Sequence, residues 1–151
     1  MKKFLLLAVF FIGFSAAAQE DIKINWLTDF EEAKKISKKE KKPILIYFTG
    51  SDWCPPCKML KEDFFYTKKF QEKSKDFVLV MADLPRRVDI ITPEQRQANI
   101  KLLQEYNKQG KFPNIVAVNH KGKELDNIMS YNMMRDTKRH YKFLEKILKN
   151  Y

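Results

Sequence analysis

The chain has 151 residues, 44% of them hydrophobic, and a formal net charge of +10, which suits one soluble globular domain. Its lysines are dispersed among glutamates, as in residues 31–35 and 38–42, the mark of a solvated helix surface rather than of a nucleic-acid footprint. Two cysteines separated by two residues are too few and too close for a stapled extracellular framework, because the loop-closure contribution of a bridge grows with the loop.

The chain opens with Lys2 and Lys3, an apolar run from Phe4 to Phe14, and the small residues Ser15-Ala16-Ala17-Ala18. This pattern predicts a signal peptide over residues 1–18, cut before Gln19, and not a permanent anchor: the apolar run falls short of the roughly 20 residues that span a bilayer. Its removal takes two lysines and lowers the charge to +8. An exported, basic domain is thereby expected over 19–151, free of nucleic acid, without stable membrane insertion, and suited to meeting acidic partner proteins.

In that domain, Ile22 to Trp26 reads as a short extended piece. Thr28 and Glu31 form a capping-box start to a helix on which Phe30, Ala33 and Ile36 recur at helical spacing, and Pro43 stops it. Residues 44–48 are a continuous apolar run of strand length, as expected of a central strand covered on both faces. A turn over 49–53 leads to Cys54-Pro55-Pro56-Cys57, from which a helix runs with Leu60 and Phe64 on one side. Thr67 is placed to cap a further helical piece, and residues 77–81 read as a second buried strand. Thr92, Pro93 and Gln95 are a cap, a first-turn proline and a residue three beyond the cap; Ala98, Leu102 and Tyr106 continue that helix toward Gly110. Residues 114–118 and 123–128 read as strands around the turn His120-Lys121-Gly122. Met134, Thr137, Tyr141, Leu144 and Leu148 then mark one stripe of a final helix. A helix between the two apolar strands makes them parallel by a right-handed crossover, and the last two strands pair as a hairpin.

Two segments carry a resemblance. Trp53-Cys54-Pro55-Pro56-Cys57-Lys58 at a strand-to-helix junction, with Lys111-Phe112-Pro113-Asn114 opening a later strand, resembles the thioredoxin superfamily, most closely its small exported bacterial members. The resemblance implies an α/β thioredoxin fold: a central mixed sheet flanked by helices, extended by an N-terminal strand and helix, with a helical insertion before a cis Phe112–Pro113 bond. It further implies thiol–disulfide exchange, with Cys54 as nucleophile, Cys57 as resolving thiol, and Trp53, Pro55, Pro56, Phe112 and Pro113 in support. No cofactor and no metal are required. The expected partners are exported proteins carrying disulfides or dithiols, and a membrane thiol protein that donates or accepts electrons.

The residues give physical reasons for the same chemistry. Thiolate is the attacking species, and a cysteine at a helix N-terminus is stabilised in that form by unpaired N–H groups. No charged residue lies between the cysteines, and the proline before the second resembles the family's reducing members, which implies reduction over oxidation, with isomerisation as a further outcome. The acid that many family members bury on the strand before the motif is replaced by Tyr47, and Glu62 or Asp63 is either a substitute or a solvated helix face. The loop after Met81 should emerge on the cysteine side, bringing Arg86 and Arg87 either to the substrate surface or simply into solvent. Two alternatives rank lower. One is copper handling by the cysteines with His120, His140, Met129, Met133 or Met134, although no second CXXC completes a four-thiolate zinc site. The other is a redox-inactive binding or chaperone module on the same fold.

Overall fold

The computed structural model describes residues 24–151, so the leader expected over 1–18 lies outside the described residues. Its elements are α1 (Phe30–Glu40), β1 (Ile44–Thr49), α2 (Pro55–Leu60) running into a π-helical turn (Lys61–Phe65), α3 (Lys68–Ser74), β2 (Val78–Asp83), α4 (Pro93–Tyr106), β3 (Asn114–Val118), β4 (Glu124–Met129) and α5 (Lys138–Asn150). The sheet order is β2-β1-β3-β4, with β1 parallel to β2 and the other two pairs antiparallel. This is the mixed, helix-flanked sheet of a thioredoxin fold. Among the described residues, no helix is long and apolar enough to cross a membrane.

All six residues of β1 are buried, because the strand is covered on both faces. Leu45 and Tyr47 face a cluster built from Leu60, Phe64, Phe65, Phe70, Tyr141 and Leu144. Ile44, Ile46 and Phe48 face Ala33, Leu102 and Tyr106 on the other side. The alternation of a two-residue period thus divides one apolar run between two cores. The π turn presents both Phe64 and Phe65 to the interior, which the i, i+4 spacing of Leu60 and Phe64 alone did not foretell.

Several local expectations are corrected. The cap of α1 is Asp29, not Thr28: its carboxylate accepts the N–H groups of Glu31 (2.8 Å) and Glu32 (3.1 Å). An anion there satisfies two orphan donors and meets the positive end of the helix. The strand expected over Ile22–Trp26 is, within the described residues, a single parallel bridge from Leu27 to Val80. On α4, Thr92 does accept the N–H of Gln95, but the Gln95 side chain turns to the carbonyl of Thr28 and to Asn99. Ala98 is exposed and Asn99 is buried in its place, donating to the carbonyl of Asp83 at 2.7 Å. The strand β2 runs to Asp83, two residues past the expected end.

The largest correction concerns Met134. It lies outside α5 and is 82% exposed, like Met133 at 81%. Residues 130–137 form a loop in which Arg135 adopts φ 52° and binds Asp63, so the stripe begins only at His140 and Tyr141.

His140 sets a pH dependence. It is buried, its ring lies 5.3 Å from Phe64 and 5.5 Å from Tyr131, and its Nδ1 has no hydrogen-bond partner. Burial, aided by the charge of Arg139 and opposed by Asp136, lowers its pKa from 6.5 to about 4. Such a histidine takes up a proton on unfolding, so stability is full above about pH 6.5 and declines as pH falls toward about 4. In urea denaturation across this range, His140→Leu is expected to flatten the decline; an unchanged slope would assign it to other groups.

Candidate functional site

The site forms where β1, β2 and the start of β3 end at one edge of the sheet. After Thr49 the chain turns through Gly50, which is buried and has no room for a Cβ beside the indole of Trp53. The Cys54 N–H donates to the Gly50 carbonyl at 2.9 Å. The loop after β2 braces this turn from the side. Asp83 accepts the Ser51 N–H (2.9 Å), Leu84 N–H donates to Thr49 O (2.8 Å), and the Trp53 indole N–H donates to Leu84 O (2.8 Å).

Asp52 ties the same two segments together in the opposite sense. Its carboxylate accepts the N–H groups of Arg87 (2.9 Å) and Arg86 (3.0 Å), and these donors, that of Arg87 foremost, hold its pKa below the ordinary carboxylate value. The two arginines thereby take different positions. Arg86 lies with its guanidinium 5.0 Å from the Trp53 ring centre, whereas Arg87 pairs with Asp89.

Cys54 and Cys57 are joined as a disulfide, with sulfurs 2.01 Å apart. Cys54 is the N-cap of α2, Pro55 and Pro56 fill the first two helical positions where no amide partner is lost, and the Cys54 sulfur accepts the Cys57 N–H at 3.3 Å. Exposure does not separate the cysteines: Cys54 is 2% and Cys57 1% accessible in this oxidised form. Position on the helix does separate them, with Cys54 at the cap and Cys57 one turn in.

Behind the helix, Tyr47 donates its hydroxyl to the Cys57 carbonyl at 3.2 Å. Its ring packs against Phe65 (4.5 Å) and Trp26 (5.8 Å), and burial pushes its pKa far above the usual phenol value. Asp63 is engaged elsewhere. It pairs with Arg135 and accepts from the Tyr131 hydroxyl at 2.6 Å, and Arg135 in the first place lowers its pKa. Glu62 lies 3.4 Å from the same guanidinium.

The Phe112–Pro113 bond is cis. The Phe112 ring meets that of Trp53 edge-on at 5.2 Å, and Pro113 O accepts the Ser130 N–H at 2.8 Å. Asn107 clamps the approach to this bond by donating to Lys111 O (2.8 Å) and accepting from Lys111 N–H (3.2 Å). The structure thus brings together Trp53, Cys54, Pro55, Pro56, Cys57, Phe112, Pro113 and Arg86, and leaves Arg87 in a local ion pair. Sequence reasoning missed the braces Asp83, Asn99 and Asn107. Only Asn107, a turn-forming residue between a helix end and Gly110, carried a local signal.

The residues of the copper alternative are scattered. His120 lies in the β3–β4 turn at the opposite end of β3 from Pro113, His140 is buried on α5, Met129 ends β4 opposite Asn114, and Met133 and Met134 lie on the 130–137 loop. Among the described residues, no group of three or more His, Cys, Asp or Glu side chains is placed to hold a metal ion.

The model of the family described as thioredoxin-like matches residues 25–119. The chain is 34% identical over 103 residues to the disulfide bond reductase DsbH of Chlamydia pneumoniae, covering 68% of this chain and 60% of that protein. It is 29% identical over 130 residues to the thioredoxin-related protein DsbJ of the same organism, covering 84% of this chain and 36% of that one. The chain therefore spans less than two thirds of either relative's length. A solved structure described as DsbH oxidoreductase superposes with a TM-score of 0.69 at 28% identity, covering 81% of this chain and 85% of that one.

Proposed function

This chain belongs to the thioredoxin-like family, and from that premise we propose that it is an exported thiol–disulfide oxidoreductase that reduces disulfides in extracytoplasmic proteins. The observation that carries the reading is the Cys54 sulfur at the start of α2, receiving an N–H from the helix it caps. In the reduced protein that N–H and the positive end of α2 stabilise the Cys54 thiolate. The thiolate attacks one sulfur of a partner disulfide; a new S–S bond joins Cys54 to the partner, and the other partner sulfur leaves as thiolate. Cys57 then loses its proton to solvent and attacks the Cys54 sulfur, closing the Cys54–Cys57 bond and releasing the second partner thiolate. Two electrons pass from the protein to the partner, and both partner thiolates regain protons from water.

The proposed platform for an extended partner segment is the backbone at Phe112 and Pro113, the Phe112 ring meeting Trp53 next to Cys54, with Trp53, Pro55 and Pro56 as the proposed rim. The oxidised protein then requires two electrons from another dithiol, for which a membrane thiol protein is the proposed donor. Residues 1–18 are the proposed leader and 19–151 the working domain. Support for the reducing direction comes from the uncharged Pro55-Pro56 pair between the cysteines and from the similarity to a disulfide bond reductase.

Equilibration with glutathione buffers tests the direction. A reduction potential near that of thioredoxin, about −270 mV, is expected; one near about −120 mV, the value for a strong periplasmic oxidant, would reverse it.

A further inference from the structure

Three cations on the segments that frame the Cys54–Cys57 pair have no carboxylate partner among the described residues. Lys58 is exposed and follows Cys57 directly on α2. Arg86 is exposed beside the Trp53 ring. Lys111 is exposed immediately before Phe112, whose ring touches Trp53. The acids on the same segments are engaged: Asp52 with backbone N–H groups, Asp83 with Ser51, Asp89 with Arg87, and Glu62 and Asp63 with Arg135.

Arg86 is also held in place. Asp52 accepts its N–H, and the Arg96 guanidinium donates to the carbonyls on either side of it, Pro85 O at 2.7 Å and Arg87 O at 2.8 Å. A cation on so braced a backbone, lying against an aromatic ring, loses little freedom when it meets an anion.

Resting on the exchange reading above, we infer that this edge selects disulfides flanked by aspartate or glutamate. The carboxylates of such a segment meet Lys58, Arg86 and Lys111 as its sulfur reaches Cys54, and Arg86 is the specificity-determining residue. Arg87, neutralised by Asp89, is not part of the recognition. Selection of this kind acts mainly on the rate of encounter and weakens as salt screens it.

The test is single-turnover reduction by the pre-reduced full chain of two peptide disulfides that differ only in flanking residues, aspartate in one and serine in the other. At low salt the aspartate peptide is expected to react about tenfold faster, with the ratio shrinking in high salt. Arg86→Glu should lower that ratio several-fold, and the triple reversal with Lys58→Glu and Lys111→Glu should bring it to one or below. Lys149→Glu, an equal change of charge in the last turn of α5, should leave the ratio intact. Equal rates on both peptides in the unaltered protein, or a loss of ratio in Lys149→Glu as large as in Arg86→Glu, would overturn the inference and leave the exchange reading standing. Failure to reduce either peptide, or full activity in Cys54→Ser, would remove the exchange reading and the inference with it.

Discussion

Cys57→Ser should leave the protein covalently joined to its partners through Cys54, whereas Cys54→Ser should lose exchange altogether. The two variants differ because the helix treats the sulfurs differently. At the cap, Cys54 receives an N–H that favours its thiolate; Cys57 lies inside the first turn and supplies that N–H. Without Cys54 no activated nucleophile remains, and the rate of partner reduction should fall by about two orders of magnitude or more. Without Cys57 the first step proceeds and the second cannot, so a mixed disulfide accumulates. Non-reducing electrophoresis of extracytoplasmic extracts, with thiols trapped by alkylation, reads both outcomes. Trapped adducts in Cys54→Ser but not in Cys57→Ser would exchange the assigned roles.

Phe64→Ala should be the most damaging single truncation in the core. The ring is fully buried, and its centroid lies 4.7–5.3 Å from those of Phe70, Tyr141, Phe65 and His140, so it joins the π turn to α3 and α5. Removing it forfeits the transfer free energy of the ring and leaves a cavity that this set of fixed aromatics cannot fill by relaxing. The cost expected is about 3–5 kcal/mol, out of a total near 5–15 kcal/mol for a domain of this kind. Urea denaturation should show a lower midpoint with an unchanged slope. Met134→Ala provides the contrast: exposed on its loop, it should change stability by less than about 0.5 kcal/mol. A large loss there would restore Met134 to the core that the sequence pattern assigned it.

That contrast shows where the sequence was legible. The apolar run of β1, the cap at Thr67, the Thr92-Pro93 helix start and the CXXC junction depend on neighbours a few residues away, and each appears in the fold as the pattern implied. Asn99 and Asp83 were not legible, because what each polar group binds lies on another segment and leaves no local period; Asn107 binds Lys111 four residues on and left only a turn signal. The misplacement of Met134 has a related cause. Its spacing continues the α5 stripe, but the ion pair of Arg135 with Asp63, 72 residues away in sequence, holds the backbone in a loop until Thr137. Local pattern gave the elements and the sulfur pair; the braces that make the site rigid required the third dimension.

The phenol of Tyr47 beneath the Cys57 carbonyl has a consequence for how electrons and protons travel together. A carboxylate at that position would be an ion kept out of water through both halves of the redox cycle, at a cost of several kcal/mol unless paired. A neutral hydroxyl imposes no such load. Position 47 therefore contributes no proton to the traffic when the bond between the cysteines opens or closes. The phenol under the helix keeps the same charge whether that bond is open or closed.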